Sequence, residues 1–77
     1  MYIIKETHTF EDGTKDLPRY FCKATNDGNF GFVYSIKNAK RFDTEKGANT
    51  VLNMLYADKN DYYEVVRIWK NDSKNRQ

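Results

Sequence analysis

One cysteine, one histidine and one proline occur in this sequence of 77 residues, and glycine appears only four times. A lone Cys22 excludes an internal disulfide. Small secreted domains usually carry several cysteines, so a reducing, cytoplasmic setting is expected. One cysteine and one histidine also fall short of a structural zinc site, and no glycine-rich phosphate loop is present, so no cofactor is expected. No apolar run approaches the ~18 residues of a membrane span. The opening MYIIKETH reaches its first charge too soon for the apolar region of a secretion signal. No membrane partner is expected.

Strong charge of either sign is missing too. Thirteen basic residues face eleven acidic ones, a net charge of +2. The last eight residues, KNDSKNRQ, hold Lys70, Lys74 and Arg76 against Asp72, which leaves ten charges of each sign in the body. A neutral body excludes DNA mimicry, which needs a dense negative surface, and supplies no strong field for nucleic acid. Residues 1–69 are expected to form one small domain, and 70–77 a flexible polar tail.

What the chain does hold is a run of strand-forming segments and a surplus of rings: six Tyr, five Phe and one Trp. YIIKETHTF reads as a strand from Tyr2 to Phe10, followed by the turn residues of EDGTKDLP. RYFCKAT is a second strand, and NDGN predicts a tight hairpin into FGFVYS. These three most simply form an antiparallel meander. IKNAKRF either starts a short helical turn after Ser35 or crosses the sheet to a short strand at Phe42, and the crossing is preferred. Asp43 and Thr44 are good N-caps. Ala48, Val51, Leu52 and Leu55 repeat at helical spacing, and ADKND ends the helix with Asn60 as a left-handed stop. Gly47 in the first turn weakens that helix by about 1 kcal/mol relative to alanine. YYEVVRIW, Tyr62 to Trp69, is the last strand. The expected fold is α+β: a small antiparallel four-stranded sheet with one helix on one face, in the order β-β-β-α-β.

FGFV, Phe30 to Val33, resembles the aromatic octamer of RNA-recognition-motif domains, and MYIIK resembles their N-terminal strand motif. The resemblance covers about ten residues. Asn29 stands where that pattern has glycine, Gly28 where it has a base, and Ser35 where it has its last aromatic. The helix that the family places between its first two strands has only Glu11 to Pro18 available, a stretch broken by Gly13 and Pro18. Phe30, Phe32, Tyr34 and Ile36 share one face at period two, the pattern of a stripe packed under a helix. They are therefore read as core. A single-stranded nucleic-acid site built from Phe30, Phe32, Lys37, Lys40 and Arg41 is the alternative.

Catalytic chemistry finds little support. His8 lies in a strand with no nucleophile required to meet it, and reads as a solvated or hydrogen-bonded side chain. Cys22 in YFCKA is a small buried hydrophobe. DKNDYYE starts like a calcium loop, but Tyr63 takes the glycine position and Trp69 the final glutamate position. The chain is expected not to be an enzyme.

One helix can cover only one face of such a sheet. Val66 and Ile68 are assigned to the helix side, which puts Tyr63, Arg67 and Trp69 on the open side. Those residue types are over-represented at interface hot spots, so the three are the expected partner-binding residues, with Lys40 and Arg41 as a polar rim. NAKRFDT, the amphipathic helix and YEVVRI are similar to segments of small accessory proteins from phages and mobile elements of Gram-positive bacteria. That class includes anti-CRISPR inhibitors. The resemblance spans about half the chain and implies a protein partner such as a nuclease effector complex, while carrying over no functional residue. Self-association into a homodimer is a further possibility.

Overall fold

β-Branched Ile3, Ile4 and Thr7 beside Tyr2 favour extended backbone. In the computed structural model, which describes residues 1–24, 29–55 and 59–68, they build β1 (Tyr2–His8). β2 (Arg19–Ala24), β3 (Phe30–Val33) and β4 (Asp61–Arg67) complete one antiparallel sheet in the order β3-β2-β1-β4. A helix, α1 (Glu45–Leu52), packs against β1 and β4. The α+β architecture expected from the pattern is the one present. β1, β2 and β3 form the meander, and β4 returns along the remaining side of β1. Trp69, the tail, and most of the NDGN hairpin lie outside the described residues.

β1 and β4 pair along their whole length, from Tyr2 opposite Arg67 to His8 opposite Asp61. Backbone bonds extend the ladder at both ends, with Ile68 N–H donating to Met1 at 2.8 Å and Thr9 N–H to Asn60 at 2.8 Å. The β1–β2 pairing is much shorter, Lys5 opposite Tyr20 and Glu6 opposite Arg19. Beyond it, the chain after β3 fills the gap. Lys40 N–H donates to the Phe21 carbonyl at 2.8 Å, and Phe42 exchanges both backbone bonds with Tyr2 at 2.8 and 2.9 Å. The two alternatives for IKNAKRF are thus both realised: a 3-10 turn over Ile36–Asn38, then a one-residue strand at Phe42.

The β1–β2 connection is ordered by its turn chemistry. Gly13 holds φ at +89°, a backbone region that L side chains avoid. The turn closes with Gly13 N–H to Phe10 at 2.9 Å and Phe10 N–H to Thr14 at 2.7 Å. Asp12 accepts from the Thr14 hydroxyl at 2.7 Å and from its amide at 3.0 Å, and these bonds hold its carboxyl below the usual value.

Thr44 caps the helix, its hydroxyl accepting from Gly47 N–H at 3.0 Å. Glycine at this position is tied to that cap, because a Cβ on Gly47 would come 3.2 Å from the Thr44 hydroxyl oxygen. The helix stops sooner than the apolar repeat suggests, at Asn53, and Leu55 follows in a looser turn with Leu55 N–H to Leu52 at 3.1 Å. The left-handed stop expected at Asn60 is not formed, since no described non-glycine residue has positive φ. With the helix already ended at Asn53, Asn60 sits next to β4 and instead accepts from Thr9.

Ile3 and Ile4 are consecutive, so their side chains leave opposite faces of the sheet, and both are fully buried. The centre of β1 is therefore covered on both sides. This corrects the expectation of one wholly open face: rings as well as the helix provide cover. Phe21, also buried, stands at the middle of these rings, 6.1 Å from Phe30, 6.0 Å from Phe32 and 6.3 Å from Phe42. The stripe Phe30, Phe32, Tyr34, Ile36 is a second correction. Phe30 and Phe32 pack on other rings, β3 lies two strands from the nearest strand that α1 contacts, and Tyr34 and Ile36 are exposed. The strand ends at Val33, so period two does not carry past it.

Candidate functional site

Residues directly opposite one another in antiparallel strands project to the same face. The register therefore sorts β1 and β4 without ambiguity. Tyr2, Ile4, Glu6 and His8 share a face with Arg67, Val65, Tyr63 and Asp61. Arg19 joins them opposite Glu6, and Phe42 opposite Tyr2. This ring face falls into three zones.

The first is polar. Glu6 is 3% exposed and accepts from Arg19 Nε at 2.7 Å, with the Arg19 terminal nitrogen closing an ion pair on the same oxygen. Arg19 also lies over the Phe32 ring, 5.6 Å from its centre. Tyr63 stacks on Phe32 at 5.8 Å and hydrogen-bonds Glu6. Burial, then the Glu6 charge and that hydrogen bond, push the Tyr63 phenol up to about 12. β3 and β4 are opposite edges of the sheet, so the contact of Phe32 with Tyr63 means that the sheet curls toward this face. Next to it, His8 Nδ1 lies 2.6 Å from Asp61 Oδ1. An ionised carboxylate can only accept, so Nδ1 carries the hydrogen. Phe10 meets the His8 ring edge-on at 5.0 Å.

The second zone is the ring cluster around Phe21. The third is a row across the end of the sheet, Phe42, Tyr2 and Arg67, with Lys40 Nζ 5.9 Å above the Phe42 ring. Arg41 is exposed and reaches the Lys37 carbonyl at 3.5 Å. Between Tyr34 and Phe42 the chain has Lys37, Lys40 and Arg41 and no acidic side chain. Ile36 stands 43% exposed among them.

The partner-binding residues expected from sequence are thus distributed unevenly. Arg67 and Lys40 lie on the same row, with Arg41 next to it in the chain. Tyr63 shares their face, but its ring and hydroxyl are engaged inside the polar zone. Trp69 lies outside the described residues. Cys22 is half-buried and free, at the irregularity between Phe21 and Lys23 where β2 slips register. Sequence reasoning missed the Glu6, Arg19, Tyr63 group and the His8, Asp61 pair. Each joins residues of different strands that no spacing rule connects.

Among the described residues no group of three or more His, Cys, Asp or Glu side chains is placed to hold a metal ion, and no helix is long and apolar enough to cross a membrane. No buried side-chain nitrogen or oxygen among them lacks a hydrogen-bond partner. Comparison with protein-family models, with curated proteins and with solved structures found no match.

Proposed function

We propose that this chain is a non-enzymatic protein-binding module that docks through the segment from Ile36 to Arg41 together with Arg67. The observation that carries this reading is the exposed Ile36 among Lys37, Lys40 and Arg41 on a segment tied to the sheet by the Lys40–Phe21 and Phe42–Tyr2 backbone bonds. An apolar side chain within a polar rim, held on a rigid support, has the anatomy of an interface. Trp69, two residues past Arg67 in the sequence, is included in the proposal for its residue type, and Tyr63 shares the face of Arg67. The cationic rim suits an acidic protein surface. With the resemblance to phage accessory proteins, the proposed target is a host defence nuclease, whose metal-holding carboxylates form such a surface, and the proposed site of action is the host cytoplasm.

Nucleic acid is the weaker reading because Phe30 and Phe32 already pack against Phe21 and Tyr63. The test is affinity capture from bacterial lysate with and without nuclease digestion, followed by calorimetry with the purified partner. Capture should survive digestion, and Lys40→Glu with Arg41→Glu should weaken binding at least about tenfold, as should Arg67→Ala with Trp69→Ala. Capture lost on digestion, or unchanged affinity in both double variants, overturns the assignment.

A further inference from the structure

We propose that two copies of this chain pair through the outer edge of β3, continuing the sheet across a two-fold axis. β3 is terminal in the strand order, so no described strand lies on its far side. The stretch Asn29 to Ser35, NFGFVYS, has no charged side chain, whereas β4 at the other end of the sheet carries Asp61, Glu64 and Arg67. Charge on an edge strand is a common device against strand-to-strand association, and β3 lacks it. The chain leaving β3 does not cover the edge. It crosses to the β1 side of β2, where Lys40 and Phe42 bond to Phe21 and Tyr2.

The register identifies a second copy as the occupant. Opposite residues of an antiparallel pair share a face, so a two-fold axis through β3 passes through a residue position. Centred on Phe32, the pairing sets Phe32 against its own counterpart, Phe30 against the Tyr34 of the second copy, and Tyr34 against its Phe30. Phe30 and Phe32 lie on the ring face, and pairing in this register extends the strand by one residue to set Tyr34 beside them. Aromatic pairs are among the favourable cross-strand contacts. Tyr34, 58% exposed one residue beyond the strand, gains a partner in this register. On the other face Gly31 meets Val33, so the branched side chain finds room. No position asks for a foreign counter-charge. The same operation about Glu64, the middle of β4, would oppose two like charges, which is unfavourable.

Sedimentation equilibrium of the full chain over a concentration series, with amide hydrogen exchange at its two ends, tests this independently of any other partner. The mass should rise toward twice that of one chain, and the Phe30–Val33 amides should exchange about tenfold slower at high concentration while those of β4 do not change. Tyr34→Glu should dissociate the pair, and Tyr62→Glu, at a site 62% exposed on β4, should leave it intact. Circular dichroism checks that both variants fold. If Tyr34→Glu does not, Asn29→Glu, which faces Ser35 of the second copy in this register, replaces it. A chain that stays monomeric into the sub-millimolar range overturns the proposal. So does a dimer that survives these substitutions or protects β4 instead.

Discussion

Glu6 is the residue whose environment departs furthest from what its type prefers. A carboxylate this buried is stable only while Arg19 and Tyr63 face it. Arg19→Met should therefore destabilise the fold by about 3 kcal/mol, toward the low end for a broken buried pair because Arg19 is itself partly exposed. Urea denaturation checks this, and Glu6→Gln combined with Arg19→Met should recover part of the loss. Tyr63 yields a pH prediction with a definite sign. Its phenol sits at about 12 in the fold against an ordinary value of 10.0. The folded state thus holds the proton more tightly, and unfolding releases it between those values. The stability from this group is full below pH 10, falls as pH rises through the interval, and is lost above about 12. Denaturation midpoints across that range, with tyrosinate absorbance, should show the alkaline decline. Tyr63→Phe should remove that share of it.

At the scale of elements, α1 is short and depends on its cap. Thr44→Ala should cost about 1 kcal/mol. Gly47→Ala would ordinarily gain about 1 kcal/mol of helix propensity, but its Cβ would press on the capping hydroxyl at 3.2 Å. Alone it should change stability little. In the Thr44→Ala background, where that oxygen is gone, the full gain should appear, and a double-mutant cycle on thermal midpoints measures the difference. The turn after β1 makes the matching case for glycine. Gly13→Ala places a side chain at φ +89° and should destabilise by about 1 kcal/mol, read by the same melts. The helix was legible because Thr44, Ala48, Val51 and Leu52 are local signals. Its end was not, because the apolar Leu55 continues the repeat after the backbone has left it.

For the whole molecule the decisive event is the curl that brings β3 and β4 rings together over β1. Phe21→Ala, at the centre of the cluster, should cost about 3–5 kcal/mol, most of the stability that a domain of this size possesses. Loss of the cooperative thermal transition is the expected readout. The assignment of one bare sheet face failed here. The helix is not the sole cover, because the rings of Phe21, Phe30, Phe32, Phe42 and Tyr63 cover much of a face by themselves. Tyr63 and Arg67 do share a side, as the period of β4 requires. Their different fates, one held inside and one exposed, depend on what stands across the sheet.

Strand and helix identities, their order, the neutral body and the exposed cationic segment followed from the sequence alone, because periodicity, capping and turn residues act over a few neighbours. The tertiary structure alone decided that β4 lies beside β1, that Phe42 pairs with Tyr2, and that His8 meets Asp61 across 53 residues of chain. Such pairings are selected by the burial and hydrogen bonding of the assembled sheet, and a local pattern is compatible with several of them.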